Sequence, residues 1–395
     1  MKILIADKLS EKAIENLKNL GTDVEVKPSL TAGELPAEIN NAEILIVRST
    51  KVTAETMDAG KSLSLIIRAG AGVNTIDINH ASKLGINVAN CPGKNSDAVA
   101  ELAMGLIIAA DRKIAFQAED LKKGIWNKKE YGKASGLKGR TLGILGYGSI
   151  GKGVAERAKA FGMNIAAWSR SLNKEKAEKD NIIFCADPVE LAEISDVVSV
   201  HLAVSSETEN IVNKDFFNAM KNGAVFVNTS RGEIVDQKAL ADAVREKNIK
   251  AALDVYRNEP SAGDTQFTDT EIAGLITGTH HIGASTEQAS EAIADETVKI
   301  VKSYIENGKP LNLVNAQSKS PAPCALVIRH NNRVGVLANV LNIIREADIN
   351  VEEMENMIFS GGEAAVCSLK LSRKPSGELL DKINSRENII KAVLI

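Results

Sequence analysis

Residues 141–162 read Thr141-Leu-Gly-Ile-Leu-Gly-Tyr-Gly-Ser-Ile-Gly151-Lys-Gly-Val-Ala-Glu-Arg-Ala-Lys-Ala-Phe-Gly162. Leu142, Ile144 and Leu145 form a short apolar run, whereas Val154, Ala155, Ala158 and Phe161 recur at helical intervals. Between them Gly146, Gly148 and Gly151 have the GxGxxG spacing. The pattern predicts a strand, a tight turn and the start of a helix. Such a turn needs Gly146 for its backbone angles, Gly148 so that a pyrophosphate can approach the main chain, and Gly151 so that helix and strand pack closely. The phosphates then meet free amides at the positive end of the helix, with Ser149 and Ile150 at its first turn. Three glycines alone also describe an ordinary loop; the flanking strand and helix are what favour a dinucleotide site.

Outward from this stretch, apolar runs at 164–168, 196–202, 224–228, 250–255 and 275–279 alternate with helical patterns. That alternation predicts a doubly wound, parallel nucleotide-binding sheet. An earlier series of runs, at 2–6, 23–27, 43–47, 64–67 and 86–89, predicts a second sheet of the same kind. Ser10 precedes a helix whose Ala13, Ile14, Leu17 and Leu20 share a face before Gly21, and Thr31-Ala-Gly-Glu34 has the form of a capping box. From Ser96 a segment rich in small apolar residues suits a buried helix that joins two domains or meets a second subunit. A helix over 286–305 leaves the second series, and 311–314 is expected to return to the first sheet. Residues 315–323, with two prolines and no periodicity, read as a linker. Beyond it the order β-α-β-β-α-β predicts a small third domain.

With 395 residues the chain accommodates two or three cores, and its formal net charge of -3 leaves no basic stripe for nucleic acid. The amino-terminal apolar run reaches Asp7 too soon for a signal peptide or membrane span, so neither a membrane partner nor an address outside the cytoplasm is expected. Cys91, Cys185, Cys324 and Cys367 lack ligand spacing and read as reduced thiols, so no metal site is expected.

Three polar motifs fall at strand ends of the second series, where an open α/β sheet places its ligands: Asn228-Thr-Ser-Arg231-Gly-Glu-Ile-Val-Asp236, Asp254-Val-Tyr-Arg-Asn-Glu259-Pro260, and His281-Ile-Gly-Ala-Ser-Thr286. Together with the glycine turn they resemble the D-isomer-specific 2-hydroxyacid dehydrogenases over nearly the first 310 residues. The resemblance implies an α/β architecture of two doubly wound parallel-sheet domains. One is a flavodoxin-like substrate domain of residues 1–97 and 286–315, the other a Rossmann nucleotide domain of residues 98–285. A linker at 316–323 and a regulatory ACT domain of β-α-β-β-α-β order at 324–395 would follow. It also implies that Arg231 clamps the substrate carboxylate and carbonyl, that Glu259 orients the acid–base group, and that His281 exchanges the proton. The chemistry agrees: a guanidinium fork suits a planar carboxylate, and an imidazole beside a carboxylate suits proton transfer near neutral pH. His280 stands where the family usually has proline and is expected to be a bystander.

For substrate, the loop Ile67-Arg68-Ala-Gly-Ala71-Gly72-Val-Asn-Thr-Ile-Asp77 resembles the family's carboxylate-binding loop, and Asn95 lies at the domain crossing. Arg48 and Arg68 resemble residues that face a substrate 3-phosphate in one branch of the family, with Lys128 after Trp126 a further source of charge. The cofactor implied is NAD(H) or NADP(H), with Asp254 also on its side. NAD-preferring members carry an acid at the end of the strand after the glycine turn; here Trp168, Ser169 and Arg170 stand there instead, which suits a 2'-phosphate or simply adenine stacking. In the tail, His330, Asn332 and Asn350 match positions where an ACT domain takes serine, and such domains pair edge to edge, so a homodimer or homotetramer is expected. The reaction implied is oxidation of 3-phospho-D-glycerate to 3-phosphooxypyruvate, the first step of L-serine biosynthesis. Reduction of hydroxypyruvate or glyoxylate by the same chemistry, and a non-catalytic dinucleotide sensor, are the alternatives.

Overall fold

The computed structural model describes residues 1–260, 265–317 and 320–395; Ser318 and Lys319 of the expected linker lie outside the described residues. The chain forms two compact units, Met1–Asn315 and Ala316–Ile395.

The first unit holds two parallel sheets. One contains β1 (Lys2–Ile5), β2 (Asp23–Val26), β3 (Ile44–Val47), β4 (Leu65–Arg68) and β5 (Asn87–Asn90) in the order β2-β1-β3-β4-β5. The other contains β6 (Thr141–Leu145), β7 (Asn164–Trp168), β8 (Ile183–Phe184), β9 (Val197–Val200), β10 (Val225–Asn228), β11 (Lys250–Leu253) and β12 (Thr277–Gly278) in the order β8-β7-β6-β9-β10-β11-β12. Helices cover both faces, which is why β3 is Ile-Leu-Ile-Val and β9 Val-Val-Ser-Val with every residue buried. The chain order reverses between β6 and β9, and a crevice at the carboxyl ends of those strands is where such a sheet receives ligands. The two-residue β8 is the one strand with no counterpart among the expected runs.

Local signals account for most helix starts. The Ser10 hydroxyl accepts from the Ala13 amide and opens Glu11–Asn19 as expected. At Thr31 the expected capping box closes a turn instead: Glu34 accepts from the Thr31 amide and hydroxyl, but the helix begins only at Leu35, with Pro36 in its first turn. The small-residue helix Ser96–Arg112 buries Ala100, Ala103, Ile107 and Ala110 against Val154 and Ala158, so it packs with the second sheet. Helix Glu287–Asn307, capped by Thr286, returns Ile293, Ile300 and Val301 to the core around Ile3 and Ile5 of the first sheet. The expected return strand at 311–314 is reduced to one antiparallel bridge, Ala89 with Leu313, because Asn312 adopts φ 55° and breaks the extended run.

The second unit is an antiparallel sheet of β13 (Cys324–Asn331), β14 (Val351–Ile358), β15 (Ala364–Leu371) and β16 (Ile389–Leu394), ordered β14-β15-β13-β16. Helices Val336–Glu346 and Gly377–Asn384 cover Leu326, Ile328, Cys367 and Leu369. The edge strand β14 is exposed along almost its whole length. Among the described residues no helix is long and apolar enough to cross a membrane, no cluster could hold a metal ion, and all four cysteines are free.

Candidate active site

The glycine turn has the form its spacing implies. Gly146 has φ 107°, and a β-carbon on it would lie 2.6 Å from the His201 carbonyl oxygen. A β-carbon on Gly151 would overlap the Gly146 carbonyl, whereas one on Gly148 would meet nothing within 4 Å. Gly148 therefore borders open space at the start of helix Ser149–Ala160, which fits the pyrophosphate of a dinucleotide. The Ser149 hydroxyl accepts from Ser96 at 3.0 Å, tying the turn to the small-residue helix, and Ile150 packs at the edge of the core beneath it. The Gly146 amide donates to the Trp168 carbonyl at 2.9 Å, which places the end of β7 beside the turn. There the Trp168 indole donates to the Ala186 carbonyl, Ser169 opens a turn closed by the Leu172 amide, and Arg170 pairs with Glu207 at 2.8 Å.

On the other side of the reversal, β10, β11 and β12 deliver the three polar motifs. Past β10, Asn228 folds its side chain into its own turn, accepting from the Ser230 amide and hydroxyl and donating to the Arg231 carbonyl at 2.8 Å. Arg231 leaves that turn extended, and Gly232 behind it touches the next strand end so closely that a β-carbon would overlap the Tyr256 carbonyl and the Arg257 amide. Past β11, Glu259 accepts from the Tyr256 amide at 2.9 Å with one oxygen and meets His281 Nδ1 at 2.7 Å with the other. Burial pulls the Glu259 carboxyl upward, but the His281 hydrogen bond, the Tyr256 amide and the charges of His281 and Arg231 outweigh it and hold the group below its ordinary value. Past β12, His281 sits at φ 52°, a conformation non-glycine residues adopt only when held there.

Asp254 does the holding. It is 1% exposed, and its carboxylate accepts from Thr279 Oγ1 at 2.7 Å and from the amides of Ile282 and Gly283 at 2.9 Å each, while its carbonyl accepts from the His281 amide. The residue expected on the cofactor thus has its oxygens engaged by the turn that presents His281. His280 is exposed, and only His281 of the pair bonds Glu259.

The first sheet brings its basic residues to the same place. A β-carbon on Gly72 would lie 2.8 Å from Arg231 Nη2, so the loop after β4 lies against the guanidinium delivered by β10. The Asn90 side chain donates to the Ala71 carbonyl and fixes that loop. Arg68 folds its guanidinium over Gly70, and its Nε is buried without a hydrogen-bond partner. Burial, then the charges of Arg231 and Arg48, disfavour its cationic form, and the Arg231 guanidinium donates through Nη1 to the Ser230 carbonyl. Asp7 accepts from the amides of Arg48, Ser49 and Thr50 and so sets the turn that carries Arg48. Asn95 occupies the N-cap position of helix Ser96–Arg112 without making a side-chain cap. Lys128 is not brought into this group; it lines a groove of about 320 Å³ with Leu121, Ile125 and Trp126.

In the second unit the structure separates the expected serine ligands. His330 is buried and bonds the Asn331 carbonyl and Asn356, and the Asn332 side chain donates to the Gly362 carbonyl at the same end of the sheet. Asn350 adjoins Ser372 and Glu352 at the opposite end. Strand rise puts roughly 25 Å between Asn332 and Asn350 within one copy.

The sequence motifs contain Asn228, Gly232, Asp254 and Tyr256 but do not show that these residues shape the turns, and Asp7, which sets the turn of Arg48, lies outside every motif. An Asx pattern of Asn two residues before Ser signalled the first; nothing local signals Gly232, whose neighbour lies on another strand.

A glycine cradle at the switch point and an Arg–Glu–His constellation beyond it define a nicotinamide-dependent oxidoreductase. Residues 104–283 match the model of the D-isomer specific 2-hydroxyacid dehydrogenase NAD binding domain. The chain is 37% identical over 363 residues to a D-3-phosphoglycerate dehydrogenase of Methanocaldococcus jannaschii, covering 91% of this chain and 68% of that one. It is 38% identical over 300 residues to a hydroxypyruvate reductase of Thermotoga maritima, covering 75% and 96%. Among solved structures it resembles NAD+-bound 3-phosphoglycerate dehydrogenase of Entamoeba histolytica with a TM-score of 0.66 and 29% identity, covering 80% of this chain and 99% of that one. The chain belongs to the D-isomer-specific 2-hydroxyacid dehydrogenases.

Proposed function

We propose that the protein is a D-3-phosphoglycerate dehydrogenase that oxidises 3-phospho-D-glycerate to 3-phosphooxypyruvate and so opens L-serine biosynthesis. The observation that carries this reading is that Arg231 lies against Gly72 of the loop over which Arg68 folds, with the Arg68 Nε buried and unpaired, and that Arg48 directly follows the neighbouring strand and adds to the positive charge Arg68 meets. Guanidiniums whose charges disfavour one another suit a ligand of matching charge; a carboxylate plus a phosphate dianion supplies it more fully than a simple 2-hydroxy acid with one carboxylate.

In this reading Arg231 holds the carboxylate and stabilises charge on the C2 oxygen, the loop amides at Ala71 and Gly72 meet the carboxylate from the other lobe, and Arg48 and Arg68 take the phosphate. When bound, the nicotinamide ring supplies the hydride acceptor. The Glu259 bond to His281 Nδ1 leaves Nε2 free to take the hydroxyl proton in oxidation and return it in reduction. Asn95 lies where the lobes meet. We divide the first unit into a substrate domain of 1–97 with 286–315 and a nucleotide domain of 98–285.

The second unit acts as the ACT domain. Its exposed β14 edge, with Met354, Met357 and Ile358 facing outward, suits pairing with a second copy. Antiparallel edge pairing would bring the Asn332 end of one copy to the Asn350 end of the other, forming a serine site that one copy lacks.

Initial rates with 3-phosphooxypyruvate, hydroxypyruvate and glyoxylate, each with NADH and NADPH, test the reading. Selectivity of at least about a hundredfold in kcat/KM for the phosphorylated acid is expected, and a preference for hydroxypyruvate would replace this reading with the reductase one.

A further inference from the structure

The end of β7 lacks the carboxylate with which a dinucleotide fold usually holds the adenosine ribose. The only charged side chain among Trp168, Ser169 and Arg170 is Arg170, and its Nη1 bonds Glu207 at 2.8 Å. Glu207 comes from elsewhere. It sits in the turn after β9, and β9 lies on the far side of β6 from β7. The Arg170–Glu207 pair therefore joins the segments that follow the two strands flanking β6, the strand that leads into the Gly146–Gly148 turn.

The turn that carries Glu207 is built to hold it. Thr208 is buried, its hydroxyl accepts from the Ser205 amide at 2.7 Å and donates to the Ala203 carbonyl, and the amides of Thr208 and Glu209 both return to the Ser205 carbonyl. Glu207 itself remains exposed and projects from this closed turn toward Arg170.

We propose that Glu207 supplies, from the β9 side, the carboxylate missing from β7, and that with Arg170 it reads the adenosine ribose and selects NAD(H) over NADP(H). A carboxylate accepts hydrogen bonds from two ribose hydroxyls but repels a 2'-phosphate dianion. Arg170, which alone would attract that phosphate, is neutralised by the same carboxylate. Both residues are exposed, so the ion pair itself is weak and can part around the ribose; selectivity comes from the sign of the charge each cofactor meets. The proposal rests on the dinucleotide reading of the glycine turn.

The test is titration calorimetry of NADH and NADPH against the full chain, without any acid substrate, for the wild type, Glu207→Gln and Arg170→Gln. The wild type is expected to bind NADH the tighter, and Glu207→Gln to shift the ratio of dissociation constants toward NADPH by about tenfold. Arg170→Gln is expected to weaken NADPH further and leave NADH nearly unchanged. A wild type that prefers NADPH, or a Glu207→Gln ratio within about twofold of wild type, overturns the assignment. If neither cofactor binds the wild type, the dinucleotide reading of the turn falls, and the assignment falls with it.

Discussion

His281 is held in a left-handed conformation by Asp254 and tethered through Nδ1 to Glu259, the arrangement on which the proposed proton transfer depends. His281→Ala is expected to lower kcat by about 10² to 10⁴ with a small change in KM, measured by steady-state rates in both directions. Glu259 allows a separate check through stability. Its folded carboxyl lies below the ordinary 4.5, so its contribution is fully present above that pH and is lost as pH falls through the folded value. Melting temperature measured from pH 6 down to pH 3 should therefore fall more steeply in the wild type than in Glu259→Gln. Equal slopes would mean that the His281 bond does not depress the Glu259 carboxyl. The motifs were legible in the sequence because they sit at strand ends, the family resemblance then pointed to Arg231, Glu259 and His281 within them, and the structure brings Glu259 and His281 into contact with Arg231 close enough to act on Glu259's charge. Their supports were not legible, since Asp254 and Asn228 act on main-chain groups that only the folded turns bring near.

At the scale of elements, the glycines separate two kinds of constraint. Gly148 borders open space with φ -87°, whereas Gly232 touches the Tyr256 main chain. Gly148→Ala is expected to fold with an unchanged melting temperature but to weaken NADH binding, because the added methyl occupies the space a pyrophosphate needs. Gly232→Ala is expected to cost about 2–4 kcal/mol of stability, since backbone rather than a flexible side chain must move. Thermal melts and calorimetric NADH titration of both variants check the contrast. The first glycine was legible from its spacing, and the second was not, for its partner is 24 residues away on another strand end. The same limit explains β8 and the return at 311–314. Two residues carry no periodicity, and Asn312's backbone, not the apolar pattern around it, decides that one bridge forms instead of a strand.

For the molecule as a whole, the division after Asn315 has a functional consequence. Every residue placed at the site, from Arg48 to His281, lies in the first unit, whose two sheets have their own cores; the second unit closes its own core around Leu326, Ile328 and Leu369. The aperiodic stretch after Asn315 and the β-α-β-β-α-β order beyond it marked the second unit in the sequence, but the proposed serine site was readable only as three residues, because no pattern records that Asn332 and Asn350 lie at opposite ends of one sheet. If these ends meet only between two copies joined along β14, then the regulatory property depends on assembly and turnover does not. Met357→Lys, a charge placed on the exposed edge, is expected to lower the mass seen by sedimentation and to abolish any inhibition by L-serine while leaving kcat within about twofold of wild type. Unchanged mass with unchanged serine sensitivity would show that the β14 edge is not where copies join. Loss of serine sensitivity at unchanged mass would place the ligand on β14 within a single copy, and the separation of Asn332 from Asn350 argues against that outcome.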